Sequence, residues 1–134
     1  MSIEFPLPQK LTPFGLVSDP KIPVAVKTLA GYRRYRFLID TGADFSLAPR
    51  LLAEQIGLNW DVCPETWVTG VEQGGVKARL GNMPLRIGST ELTVRCLFLE
   101  TRKALFILGR ADFLDRFALT IDQRQQKSIL AERP

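Results

Sequence analysis

The chain has 134 residues, which suit one compact domain and leave no room for two lobes with a core each. With 46% hydrophobic residues and no apolar run long enough to span a bilayer, a membrane partner is not expected. The formal net charge of +4 comes from scattered basic residues, densest at Arg33, Arg34 and Arg36 in a strand-like stretch, so a nucleic-acid partner is not expected either.

Residues 1–23 carry Pro6, Pro8, Pro13, Pro20 and Pro23 and read as an extended arm or covering loop. Its opening, Met1-Ser2-Ile3-Glu4-Phe5-Pro6, lacks a basic region followed by an apolar core, which points to a cytoplasmic protein. Residues 24–134 read as a single domain. Val24 to Leu29 and Tyr32 to Ile39 form an expected hairpin turning at Ala30-Gly31, its second strand running into Asp40-Thr41-Gly42. Pro49 to Ile56 shows helical spacing, starts on a proline and stops at Gly57, with Leu51, Leu52 and Ile56 expected in the core.

Trp67 to Leu80 holds two strand-like arms around a tip bearing Gly70, Gly74 and Gly75, the pattern of a plain surface hairpin or of a mobile flap. Met83 to Ile87 and Glu91 to Leu99 read as a strand pair turning at Gly88-Ser89-Thr90. Phe106 to Leu108 reads as a buried strand, and a short helix is expected from Arg110 through Asp115. Phe117 to Asp122 and Ser128 to Ala131 read as a closing hairpin.

Chemistry concentrates at Asp40. A carboxylate at the end of an apolar strand carries a desolvation cost, and Thr41 and Gly42 are residues suited to holding its oxygens. The same tripeptide is also ordinary turn chemistry for ending a strand. Asp19, Asp61, Asp112, Asp115 and Asp122 are followed by Pro, Val, Phe, Arg and Gln, so none repeats the loop. The absence of histidine removes Ser-His-Asp and Cys-His devices and histidine zinc sites. Cys63 and Cys96 lack a CxxC spacing, which leaves a metal or redox role without support. Cys96 reads as a small apolar strand residue. The sequence leaves a disulfide between the two open, although nothing calls for one.

Phe37-Leu38-Ile39-Asp40-Thr41-Gly42-Ala43-Asp44, followed later by Leu105-Phe106-Ile107-Leu108-Gly109-Arg110, resembles the retropepsins and their cellular relatives, including the retroviral-like domain of DNA-damage-inducible proteins. The resemblance runs from Ile22 to about Leu130. It implies an all-β fold: a closed, retropepsin-like β-barrel with a flap hairpin and one or two short helices, forming half of a homodimeric aspartic protease. In such an enzyme Asp40 is the catalytic acid and pairs with Asp40 of a second subunit, because hydrolysis needs two carboxylates sharing one proton.

By the same resemblance, Thr41 and Gly42 support the loop, and Ala43, Asp44, Gly70 and Val71 face a polypeptide substrate bound as an extended strand. Arg110 is expected to clamp Asp44 with its planar fork. No metal or cofactor is needed, because water is the nucleophile. The terminal hairpin departs from the shorter viral enzymes, which leaves the dimer geometry open. The alternative reading is a dormant member that uses the same fold to bind peptide or another protein.

Overall fold

The computed structural model describes residues 2–134; Met1, the first residue of the expected arm, lies outside the described residues. Alternation of apolar and polar residues sets the architecture. In β4 (Lys21–Thr28) the side chains of Ile22, Val24, Val26 and Thr28 point inward and are buried, as period-two patterning requires. β4 pairs antiparallel with β5 (Gly31–Ile39), which contributes Phe37 and Ile39 to the same core. β4 begins three residues before the Val24 start read from the sequence, because Ile22 belongs to that core and Lys21 pairs with Leu38.

The protein is mostly β, a closed, six-stranded mixed barrel with few short helices. Around it run β4, β5, β10 (Ile107–Leu108), β6 (Ser46–Pro49), β9 (Thr90–Leu99) and β8 (Val76–Ile87), and the ring closes where Ala25 and Val26 pair with Arg86 and Leu85. Closure leaves few exposed edges. The interior is filled by Phe37, Met83, Leu85, Ile87, Val94, Cys96, Phe98 and their neighbours, each large side chain contributing about 1.5–3 kcal/mol by its burial.

β8 is one continuous strand of twelve residues, where the sequence suggested a flap arm ending at Leu80 and a separate strand from Met83. Gly81 and Asn82 do not break it: both pair with β9, and Gly81 admits Leu58 and Phe98, since a Cβ there would meet Leu58 Cδ1 at 2.7 Å. α1 (Arg50–Ile56) ends at Gly57, whose φ of 89° is left-handed and whose N–H caps the helix. Leu52 is buried as expected, whereas Leu51 is 62% exposed because it falls on the opposite face of so short a helix.

Among the remaining strands, β1 (Ser2–Pro6) pairs with β12 (Lys127–Glu132), and β12 with β11 (Phe117–Asp122), giving a three-stranded sheet beside the barrel. β2 (Gln9–Thr12) and β3 (Gly15–Ser18) pair only with each other. β7 (Glu65–Val68) pairs with the first part of β8. Cys63 and Cys96 are unbonded thiols, and burial pushes the Cys96 thiol well above its usual range. Among the described residues no helix is long and apolar enough to cross a membrane.

Candidate functional site

β5 ends at Ile39 and β6 starts at Ser46, so the loop 40–45 bridges two barrel strands that are not paired with each other. β10 is inserted between them, parallel to β5 and antiparallel to β6. The insertion gives the loop's backbone groups their partners. Asp40 N donates to Leu108 O at 3.0 Å, Arg110 N to Ala43 O at 2.9 Å and Ala111 N to Asp44 O at 2.9 Å. Polar backbone in a strand-to-strand loop needs such partners, and this arrangement fixes the loop from one side.

Within the loop, Gly42 N donates to Asp40 Oδ1 at 2.9 Å, and Ala43 N donates to Asp40 O at 3.2 Å. The absence of a side chain at Gly42 allows this approach, since a Cβ there would sit 3.2 Å from Asp40 Oδ1. Asp40 is half-buried, and Thr41 and Gly42 are exposed.

Arg110 lies across the loop from β10. Its Nη1 donates to Thr41 O at 2.7 Å, and its Nη2 bonds the Asp44 carboxylate. One planar fork thus spans the loop's near and far ends, a geometry that Arg provides and Lys does not. The helix expected from Arg110 through Asp115 is instead a kinked turn. Ala111 is extended at ψ 127° and Asp112 takes a left-handed φ of 67°. Two causes are visible: the amides of Arg110 and Ala111 are committed to the loop carbonyls, and the Asp112 carboxylate accepts the N, Nε and Nη2 of Arg95. The Arg95 bond chiefly holds the Asp112 carboxyl below its usual range, burial opposing it. Arg95 also lies over the ring of Phe45 in the loop, at 5.3 Å.

Gly109 was read from the sequence only as part of the Gly109-Arg110 motif, and Ser46 was given no role there. Gly109 N donates to Ser46 Oγ at 3.2 Å in a buried position, and a Cβ on Gly109 would meet Phe45 O at 2.4 Å and Ala43 O at 2.8 Å. The contact between these backbones therefore requires glycine. The signal was the glycine directly after the apolar run Phe106-Ile107-Leu108, ahead of Arg110.

Above the loop lies a groove of about 960 Å³ lined by Asp40, Ala43, Asp44, Leu47, Trp67, Val68, Gly70, Val71, Leu97, Leu105 and Ile107 among others. The β7–β8 hairpin forms its roof. Val68, Val76 and Ala78 pack with Leu47, Leu99 and Ile107, rooting the hairpin in a second apolar cluster. Beyond Val68, residues 69–75 turn through Gly70, Gly74 and Gly75, all at left-handed φ. Two contacts hold this tip to the strand-linking segment after β9: Lys103 Nζ donates to Val71 O at 3.2 Å, and Thr101 Oγ1 to Glu72 Oε1 at 2.8 Å.

The structure thus brings Asp40, Thr41, Gly42, Ala43, Asp44 and Arg110 into one loop assembly and sets Gly70 and Val71 across the groove from it. Of the neighbouring aspartates, Asp44 is engaged by Arg110, and Asp112 by Arg95. Among the described residues no cluster of three or more Asp, Glu, Cys or His side chains is placed to hold a metal.

A family model described as aspartyl protease matches residues 22–112, which include both the loop and Arg110. DNA damage-inducible protein 1 of Yarrowia lipolytica is 30% identical over 96 residues, covering 70% of this chain and 24% of that protein. The chain therefore spans about a quarter of the length of that curated relative. A retropepsin-like aspartic protease from Rickettsia conorii superposes with a TM-score of 0.66 at 20% identity, over 97% of this chain and 91% of that one. The retroviral protease-like domain of Ddi1 from Leishmania major gives 0.60 at 18% identity, over 88% and 96%. At such identities the two structures establish a shared fold.

Proposed function

This chain belongs to the aspartyl protease family, and we propose that it is an endopeptidase that works as a homodimer, with Asp40 from each subunit in one site. The observation that carries the reading is the Asp40 carboxylate itself. It accepts a hydrogen bond from the Gly42 amide, lines the groove, and stands in the one Asp-Thr-Gly loop of the sequence, so a partner acid of the same kind must come from a second copy. A single such acid cannot activate water and protonate a carbonyl oxygen in one step. Two of them side by side cannot both ionise, so the pair divides into a base and an acid.

In this reading the base removes a proton from a water molecule as that water attacks the scissile carbonyl, and the acid protonates the carbonyl oxygen. The reaction requires neither metal nor cofactor. Thr41, exposed at the loop's outer turn, would bond across the two-fold axis, while the Arg110 fork keeps the loop's shape from inside its own subunit. The substrate is an extended polypeptide. Ala43 and Asp44 on the floor and Gly70 and Val71 on the roof would meet its backbone, and the apolar walls Leu47, Leu97, Leu105 and Ile107 would take its side chains. The β7–β8 hairpin would act as a flap, excluding bulk water once the peptide is bound. A cytoplasmic setting accords with two unpaired thiols.

The test is cleavage of a diverse peptide library between about pH 4 and 7, the range in which such dyads operate. Wild-type protein should cleave, with inhibition by pepstatin, and Asp40→Asn should reduce the rate by about 10³-fold or more while leaving mass and fold unchanged. A folded dimer that cleaves nothing would favour a peptide-binding module instead.

A further inference from the structure

The β2–β3 hairpin puts apolar side chains into water. Leu11 and Leu16 are cross-strand partners and lie side by side on one face, 78% and 67% exposed, and Phe14 at the turn is fully exposed. An isolated two-stranded hairpin is marginal in water, and a contiguous apolar patch of several hundred Å² on a small protein marks a contact surface.

The hairpin's base is held by hydrogen bonds, whereas Phe14 at its tip is fully exposed. At the base Asp19 N donates to Pro8 O at 2.8 Å, Gln9 Nε2 to Gln126 Oε1 at 2.6 Å and Gln123 Nε2 to Ser18 Oγ at 2.8 Å. The chain then passes directly to the catalytic end of the barrel: Ile39 N donates to Pro20 O at 3.0 Å, one residue before Asp40. The hairpin therefore emerges at the barrel end where, on the reading above, the two-fold axis must pass.

We propose that the β2–β3 hairpin is the arm by which two copies of this chain hold each other, with Leu11, Phe14 and Leu16 of each copy buried against the other beside the paired Asp40 loops. This rests on the homodimeric protease reading and adds to it the surface that makes the dimer. The three side chains expose on the order of 450 Å² per copy, over half of the roughly 800 Å² that each partner buries in a standard interface. Two-fold symmetry uses each arm twice over, once as donor and once as the surface received. A second copy is the occupant of choice because its arrival completes the site that one chain leaves with a single acid.

The experiment compares the full chain with Phe14→Ser and, separately, Leu11→Ser/Leu16→Ser by sedimentation velocity over a concentration series, alongside peptide cleavage. None of these side chains is buried in the single chain, so both variants should keep the wild-type circular dichroism and, at concentrations where wild type is itself monomeric, its unfolding midpoint. The dimer dissociation constant should rise by about a hundredfold, since each substitution occurs twice in a symmetric pair. Cleavage should fall at low protein concentration and recover as concentration is raised.

Asp40→Asn should stay dimeric and inactive at every concentration, separating loss of chemistry from loss of assembly. Variants that dimerise as tightly as wild type would overturn the arm while leaving the protease reading intact. A dimer that the variants dissolve but that never cleaves would support the arm and sink the protease reading. A wild-type chain that stays monomeric at all concentrations would overturn both.

Discussion

Gly109→Ala tests whether the inserted strand β10 is what shapes the Asp40 loop. Gly109 has an ordinary extended backbone, φ −98° and ψ −165°, so alanine meets no conformational penalty there and the effect must come from contact alone. The added Cβ would lie 2.4 Å from Phe45 O, 2.5 Å from Phe45 C and 2.8 Å from Ala43 O, all backbone atoms that no rotamer change can move. Relief to an ordinary contact of 3.4 Å demands a retreat of about 1 Å by residues 43–45.

That retreat stretches the bonds that join the two segments: Gly109 N to Ser46 Oγ at 3.2 Å, Arg110 N to Ala43 O at 2.9 Å and Ala111 N to Asp44 O at 2.9 Å. At about 1 kcal/mol for each of the three bonds and about 1–3 kcal/mol for overpacking, the full loss would be about 4–6 kcal/mol, and partial relaxation of residues 43–45 brings it to about 3–5 kcal/mol. That is a large part of the roughly 5–15 kcal/mol that holds a domain together. Urea unfolding should register the loss as a lower midpoint at unchanged slope, and Tm should fall by roughly 10–20 °C. On the protease reading, peptide cleavage in the folded fraction should drop by about a hundredfold, because a 1 Å displacement misplaces the Asp40 carboxylate. A Gly109→Ala protein within about 0.5 kcal/mol of wild type would refute the claim that backbone contact at Gly109 sets the loop.

Two further perturbations separate structure from charge. Arg110→Lys should cost only about 1 kcal/mol in unfolding free energy, because the Asp44 carboxylate is 78% exposed and the ion pair is screened; cleavage should suffer more, since a lysine cannot bond Thr41 O and Asp44 together. Equal loss in stability and in turnover, after correction for folded fraction, would argue against a loop-shaping role. Asp112→Asn probes the bond to Arg95. The Asp112 carboxyl is held below its ordinary value of 3.8 in the folded protein, so its stabilisation is fully present above that value and is lost as pH falls through the lower folded-state value. The stability gap between wild type and Asp112→Asn should therefore be constant above about pH 5 and narrow as pH drops below about 4, measured by urea unfolding at each pH. A gap that widened in acid would show the sign to be wrong.

Much of the site was legible in the sequence because its parts are local. Asp40 follows Ile39 at a strand end, Gly42 must let its amide reach that carboxylate two residues back, and Gly57 must cap α1 in a left-handed conformation. Each of these depends on neighbours a few positions away, and residue type reports such constraints directly. The period-two burial of β4 and of β5 from Tyr35 to Ile39 is of the same kind. The turn at 110–114 was not legible as such: Arg110-Ala111-Asp112-Phe113-Leu114 has acceptable helix residues, but the amides of Arg110 and Ala111 and the Asp112 carboxylate have partners more than fifteen positions away. Distant hydrogen bonds outweighed local propensity there.

The amino-acid sequence by itself determined the β4–β5 hairpin, β9 and the closing hairpin, the acid at the end of β5 and the glycines that let backbone approach backbone, since all follow from side-chain size and alternation, whereas residues 1–23, read as an arm, fold into β1–β3 and the start of β4. Only the tertiary structure decided that β10 slides between β5 and β6, so that Gly109 and Ser46 become partners of the Asp40 loop. It also decided that Leu11, Phe14 and Leu16, apolar like core residues, stand in water on the β2–β3 hairpin. The physical reason is that contacts between distant segments depend on which strand neighbours which, and apolar patterning specifies only that a face is to be buried, not whether its cover comes from the same chain or from another.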